Sequence, residues 1–157
     1  MGQHVVCEIH EIPKGKAKHI SVEGRDIAVF NLGDRFAAIT SKCPHEGANL
    51  CNGRIAAFID AHGPGEYFTQ SDRPMVRCPW HGWEFDLKTG QSYIDPKRIR
   101  VKSFEVSVSD GSEAEAIARA DVESGVNVPA EGARDEGPYK IEVFEVSTEN
   151  QYVVLKI

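Results

Sequence analysis

The first forty residues alternate between short apolar-rich runs and residues that favour turns. The runs lie at Val5–Ile9, Lys18–Val22, Ile27–Phe30 and Phe36–Thr40. Between them stand Gly, Pro, Asn and Asp, each of which suits a turn for its own conformational reason. Short strands separated by glycine turns are typical of an antiparallel sandwich or barrel. We therefore predict an all-β fold that begins as a meander.

The same alternation returns in the second half of the chain. Trp83–Leu87 alternates and leads into a hairpin turn at 88–90, and Ile99–Val108 has the pattern of a longer strand. Two more strands are predicted near 140–146 and 151–157. We expect the last of these to complete the base sheet.

Residues 111–138 break the β pattern. Ser112 and Glu115 have the spacing of a capping box, S-x-x-E, at the start of an Ala/Glu-rich run that Gly125 could end. The apolar face of this run is thin, so we predict a marginal helix followed by a linker. We expect this segment to be an excursion within a single domain, residues 1–157.

A second irregular segment, 56–74, contains two Gly, two Pro and three Tyr or Phe residues. It reads as a long loop, and long ordered loops beside a site are often functional. His62 lies in this segment and is predicted to be a surface histidine.

Charge excludes some classes of partner. The net charge is −6, and residues 111–138 carry seven acids against two bases, which is nearly the whole imbalance. No basic stripe is present, so we expect no nucleic-acid partner. No apolar run approaches the length of a membrane span and no secretory signal is visible, so we expect a soluble, cytoplasmic protein. The acidic segment fits a solvated linker better than a docking face for a basic partner.

Two cysteine–histidine pairs are the candidate chemistry. Cys43 and His45 form C-x-H, and Cys78 and His81 form C-x-x-H, with 32 residues between the pairs. Mixed sulfur and nitrogen ligands suit iron–sulfur or zinc. A structural zinc site is the first alternative, although zinc sites usually pair like ligands. A disulfide between the two cysteines is the second, and it would leave both histidines unexplained.

The segments around these pairs, C-P-H-E-G-A-N-L at 43–50 and V-R-C-P-W-H-G-W-E-F-D-L-K-T-G at 76–90, resemble the ligand loops of Rieske [2Fe–2S] proteins. The resemblance runs through residues 5–110 and weakens at 56–74. It implies a Rieske-type antiparallel β-sandwich with a two-loop cluster-binding subdomain, about 41–90. It also implies a [2Fe–2S] cluster in which two histidines replace two cysteines. Its ligands would be Cys43, His45, Cys78 and His81.

The resemblance extends to residues beside the cluster. Some relatives join the two loops by a disulfide, but Ala48 and Trp80 stand at those positions here. High-potential relatives place Ser and Tyr hydroxyls where this chain has Trp83 and Phe85. We therefore predict a disulfide-free site with a potential of roughly −150 to 0 mV. Trp80 and Trp83 are predicted to be hydrophobic cover, and Cys7 and Cys51 to be reduced core thiols.

The resemblance implies a soluble ferredoxin with no substrate chemistry of its own. It would carry single electrons from a reductase to an oxygenase acting on aromatic or other organic compounds. The alternatives are a small subunit of a nitrite-reductase-type or other oxidoreductase complex, and a redox-sensing module. A terminal oxygenase would need a second iron site, and His4, His10, His19 and His62 show no ligand grouping.

Overall fold

The protein is described by a computed structural model that covers residues 2–95, 97–125 and 150–157. These residues form nine strands, all paired antiparallel, and one α-helix. The all-β antiparallel prediction is confirmed. The elements are β1 (Gln3–Glu8), β2 (Ala17–Val22), β3 (Arg25–Asn31), β4 (Phe36–Thr40), β5 (Arg54–Ala61), β6 (Tyr67–Arg77), β7 (Glu84–Asp86), β8 (Ser103–Asp110), α1 (Gly111–Gly125) and β9 (Gln151–Lys156).

A six-stranded sheet forms the base of the fold, in the order β1-β9-β8-β4-β3-β2. Strands β2, β3 and β4 lie side by side as predicted for the opening meander. The meander prediction was wrong for its first strand, because β1 lies at the opposite edge of the sheet. The last strand, β9, pairs with β1 on one side and β8 on the other. The prediction that the final strand completes this sheet is confirmed, and the two ends of the described chain therefore meet in it.

Strand β3 of the base sheet contributes side chains to both halves of the core. Ile27 and Val29 belong to an apolar cluster with residues of β1 and β9, whereas Ala28 and Phe30 belong to a second cluster. Successive residues of a strand point to opposite faces, and an apolar cluster covers each face of β3. All four side chains are therefore fully buried. The second cluster also contains both cysteines of the candidate pairs. The base sheet thus supports the candidate site through a continuous apolar contact.

The smaller sheet has the order β5-β6-β7 and contains a hairpin where we predicted a loop. Strands β5 and β6 pair over most of 56–74, and the turn between them is closed by two backbone hydrogen bonds between residues 62–66. The loop prediction was wrong because the Gly and Pro residues concentrate at two points. Gly63-Pro64-Gly65 makes the turn, and Pro74 lies at a register shift, where a strand tolerates proline.

The helix prediction is confirmed, but its N-cap differs. The Asp110 carboxylate accepts a hydrogen bond from the backbone N–H of Glu113 at 3.0 Å, so Asp110 and not Ser112 caps the first turn. Helix α1 packs on β1, β8 and β9 through the fully buried Ala114. Strand β8 begins at Ser103, four residues later than predicted. The predicted strand 140–146 and the linker beyond Gly125 lie outside the described residues.

No helix in the described part of the chain is long and apolar enough to cross a membrane.

Candidate metal centre

The first ligand loop, residues 43–48, is a tight turn between β4 and β5. The backbone N–H of Cys43 donates to the carbonyl of Ala48 at 2.8 Å, and the N–H of Gly47 donates to the carbonyl of Cys43 at 2.9 Å. Gly47 has φ +86°, a conformation that side-chain-bearing residues rarely adopt. The loop therefore needs glycine at this position for the turn itself.

The second ligand loop, residues 78–83, repeats this turn between β6 and β7. The N–H of Cys78 donates to the carbonyl of Trp83 at 2.7 Å, and the N–H of Gly82 donates to the carbonyl of Cys78 at 3.1 Å. Gly82 has φ +72°. The two loops thus share one backbone geometry although one pair is C-x-H and the other C-x-x-H.

An ion pair closes the base of the second loop. Arg77 and Glu84 are cross-strand partners of β6 and β7, and they directly flank the loop. The Arg77 guanidinium donates to the Glu84 carboxylate from Nε at 2.9 Å and from Nη2 at 2.6 Å. A charge-assisted contact with two donors holds both ends of the loop at a fixed separation.

The structure brings the four predicted ligands together as two layers. Cys43 and Cys78 are buried in the apolar core, with 1% and 3% of their surface exposed, and both belong to one group of packed apolar side chains. His45 and His81 are exposed. The sulfur atoms thus face the protein and the imidazoles face solvent.

The imidazole rings of His45 and His81 are positioned to share a metal ion. The rings meet edge to face with centroids 4.8 Å apart, and their Nδ1 atoms are 3.2 Å apart. Two nitrogens bound to one tetrahedral metal at about 2.0–2.1 Å would be separated by about 3.3–3.4 Å. The observed separation is close to this value, so the two nitrogens fit as ligands of one metal.

The arrangement suits a two-metal cluster better than single zinc. Among residues 2–95, 97–125 and 150–157, no group of three or more His, Cys, Asp or Glu side chains is placed to hold one metal ion. Two sulfurs in one layer and two nitrogens in another match a [2Fe–2S] cluster in which each iron takes one kind of ligand. Both cysteines are free thiols, so the disulfide alternative is not formed.

Burial acts on the Cys43 thiol in a way that a metal would reverse. Desolvation raises the pKa of the Cys43 thiol, against backbone hydrogen bonds that lower it. A cysteine that binds a metal must be a thiolate, and a bound metal supplies the positive charge that stabilises it.

The other two cysteines lie outside the candidate pairs. Burial raises the pKa of Cys7 and of Cys51 to about 11. Cys7 is fully buried in the apolar core, Cys51 is half-buried against it, and both are free thiols as predicted.

The two tryptophans of the second loop differ. Trp83 is half-buried and stacks on the His45 ring, with centroids 4.5 Å apart and an interplanar angle of 22°. Trp80 is 60% exposed, so the prediction that it provides hydrophobic cover was wrong. Phe85 is fully buried in the same apolar part of the core as both cysteines. Neither Trp83 nor Phe85 carries a hydroxyl group.

One contact was not found from the sequence. The Glu46 carboxylate of the first loop lies 3.6 Å from Nε2 of His81 in the second loop. Carboxylates often accept from the outer nitrogen of a metal-bound histidine and orient its ring. The sequence signal was an acidic residue next to His45, but only the structure shows that it faces the other histidine. His62, by contrast, is exposed and stacks on Phe68, so it is a surface histidine as predicted.

Comparison with known families agrees with this geometry. Residues 2–105 match the Rieske [2Fe–2S] domain family. The chain belongs to the Rieske family. Membership of this family implies a Rieske-type [2Fe–2S] cluster as the cofactor. The two layers of cysteine and histidine ligands described above fit it.

Similar proteins include electron carriers of dioxygenases. The 3-phenylpropionate/cinnamic acid dioxygenase ferredoxin subunit of Photorhabdus laumondii is 30% identical over 112 residues, 71% of this chain and 91% of that protein. A solved complex of reduced oxygenase and oxidised ferredoxin in carbazole 1,9a-dioxygenase contains a chain 26% identical (TM-score 0.50; 67% of this chain, 92% of that one). A protein assigned as the NADH-dependent nitrite reductase small subunit of Mycobacterium tuberculosis is 18% identical (TM-score 0.60; 99% and 95%). This last likeness shows a shared fold.

Proposed function

We propose that this Rieske protein is a soluble, cytoplasmic ferredoxin that carries single electrons from a reductase to an oxygenase acting on aromatic or other organic compounds. The supporting observation is the pair of exposed imidazoles, His45 and His81, above two buried cysteines. We further propose that the four residues are the cluster ligands. The proposed domain is the whole chain, 1–157, with the cluster-binding part at about 41–90.

Each layer of the site has a separate role in this proposal. Cys43 and Cys78 hold the inner side in an apolar environment that excludes water. His45 and His81 present the outer side to solvent, where a partner protein can approach. When bound, the cluster stores one electron at a potential that hydrogen bonds, burial and nearby charge adjust. The proposal assigns the chain the transfer of electrons and no substrate chemistry of its own.

The proposed partners rest on the named relatives. The Photorhabdus laumondii relative is a dioxygenase ferredoxin subunit, and the carbazole 1,9a-dioxygenase ferredoxin was solved with its oxygenase. A carrier of this kind must accept electrons before it can pass them on, so the proposal includes a reductase. Specific recognition would use the exposed surface around the histidines.

The test is a three-component assay with purified protein, a candidate flavin reductase and a candidate oxygenase. Substrate oxidation should require this chain and should increase with its concentration until another step limits the rate. Cys43→Ser should not support turnover, whereas Cys51→Ser, a change to a thiol outside the pairs, should. Turnover that does not depend on the chain, with an oxygenase that accepts electrons directly from its reductase, would contradict the proposal.

A second candidate is the small subunit of a nitrite-reductase-type complex. It is favoured by one observation, a likeness to a solved structure that extends over 99% of this chain. The two candidates differ in how the protein associates with its partners. A ferredoxin should purify alone and exchange electrons in transient encounters, whereas a subunit should purify in a stable complex with a large partner.

A further inference from the structure

The two ligand loops meet without a covalent link. The positions at which some relatives have a disulfide hold Ala48 and Trp80, and the cysteines of the described residues are all free. The backbone hydrogen bonds of residues 43–48 and of 78–83 close each loop on itself. Apart from the proposed cluster ligands themselves, the two loops are therefore joined to each other by side-chain contacts.

Trp83 supplies a broad contact of this kind. Its indole lies nearly parallel to the His45 imidazole, with centroids 4.5 Å apart and an interplanar angle of 22°. His45 belongs to the first loop, and Trp83 ends the second. Offset stacking of two flat rings fixes their relative orientation as well as their distance.

The Trp83 backbone is itself well fixed. Its carbonyl accepts the 2.7 Å hydrogen bond from Cys78 N–H, and β7 begins at the next residue. The adjacent ion pair between Arg77 and Glu84 closes the same end of the loop. The indole thus projects from a rigid position onto the more exposed ring of His45.

We propose that Trp83 is a positioning residue that holds the first loop against the second and sets the orientation of the His45 ring. This inference rests on the proposed ligand role of His45. Rotation of that ring would move its Nδ1 from the position 3.2 Å from the Nδ1 of His81. Trp83 thereby performs, through stacking, the joining role that a disulfide performs in other members of the family.

The test compares three variants of the cluster-loaded protein. Trp83→Leu keeps apolar bulk but removes the flat face, and Trp83→Phe keeps a flat face. Trp80→Leu is the matched control, because it changes the same residue type in the same loop at a position 60% exposed. The first readout is the rate at which an iron chelator removes the visible absorbance. The second is the EPR spectrum of the reduced protein, which reports the geometry of the histidine-bound iron.

Trp83→Leu should lose its cluster about tenfold faster or more, in the range found when groups supporting metal ligands are removed. Its EPR signal should shift or broaden. Trp83→Phe should recover most of the parent rate and the parent spectrum. Trp80→Leu should stay within about twofold of the parent, as expected of a surface change.

The inference is overturned if Trp83→Leu matches the parent in rate and spectrum, or if Trp80→Leu accelerates loss equally. If Trp83→Leu cannot be obtained folded, Trp83→Phe decides: a parent-like spectrum and rate support the stacking role, and an altered spectrum with cluster loss about tenfold faster than in the parent contradicts it. These measurements use no partner protein. A parent that shows a Rieske signal but fails in the three-component assay would therefore contradict the proposed function alone.

Discussion

The carboxylate of Glu46, in the first ligand loop, lies 3.6 Å from Nε2 of His81, in the second. The Glu46 and His81 side chains are 59% and 43% exposed, so water weakens the interaction. The negative charge nevertheless lies beside the part of the site that becomes more negative on reduction. The contact should therefore favour the oxidised protein.

Glu46→Gln should raise the reduction potential by about 10–40 mV, which corresponds to an exposed charge interaction of at most about 1 kcal/mol. Protein-film voltammetry measures the shift, and added salt should reduce the difference between variant and parent. Glu105→Gln is the control, because it removes the same charge from β8 in the base sheet. An unchanged or lowered potential for Glu46→Gln would show that the contact does not tune the site.

The potential itself should lie low in the Rieske range, roughly −150 to 0 mV. The reason is that Trp83 and Phe85 stand where high-potential relatives have hydroxyl donors, and Phe85 is fully buried beside the cysteines. Phe85→Tyr should raise the potential by about 60–130 mV if its hydroxyl donates to the charged cluster. A parent potential well above +100 mV in a redox titration would contradict this account of the loops.

Arg73 should stabilise the hairpin of β5 and β6. Its guanidinium lies 4.2 Å from the centre of the Phe58 ring and 3.7 Å from the carboxylate of Asp86, which is almost fully buried, and it donates to the Tyr93 hydroxyl. Arg73→Ala should lower the free energy of unfolding by about 1–3 kcal/mol, since it leaves a buried carboxylate without its cation. Urea unfolding measures the change.

Arg35→Ala is the control for this change, because the Arg35 side chain is half exposed and pairs with the neighbouring Asp34. It should change stability by less than about 0.5 kcal/mol. Equal effects of the two substitutions would show that the contacts of Arg73 add nothing beyond those of a surface arginine.

Cys7 should make the protein less stable at high pH. Burial raises the pKa of its thiol from 9.0 to about 11. Between these values the unfolded chain has lost this proton and the folded protein has kept it, so stability falls as pH rises. The loss from this thiol should reach about 2 kcal/mol near pH 11.

Urea unfolding at about pH 8 and about pH 10.5 tests this dependence. Cys7→Ala costs packing energy at both pH values, but it should show a smaller decrease between them than the parent. Parallel decreases in parent and variant would assign the pH dependence to other groups.

Much of the base sheet was predictable because its strands are short and alternate regularly. Phe36–Thr40 has the predicted bounds, and β9 completes the sheet as expected. The hairpin at 56–74 was missed because local composition does not reveal pairing between distant residues. Gly63, Pro64 and Gly65 were counted as evidence for a loop, but they form only the turn between two long strands.

The sequence could predict which residues come together at the candidate site. Ligand spacing does not depend on tertiary structure, so Cys43 and Cys78 could be paired with His45 and His81 from the sequence. The contacts around them could not. Trp80 and Trp83 are the same residue type three positions apart, yet one is exposed and the other stacks on His45. That difference arises from the geometry of the loop and the start of β7.

We propose that Cys43, His45, Cys78 and His81 hold a Rieske cluster. EPR spectroscopy of the dithionite-reduced protein, with iron and sulfide analysis of the same sample, is the decisive measurement. We expect a brown protein with a rhombic signal that Cys43→Ser and His81→Ala abolish and Cys51→Ser preserves. A colourless protein that holds zinc, or a cluster signal that survives in Cys43→Ser and His81→Ala, would contradict it.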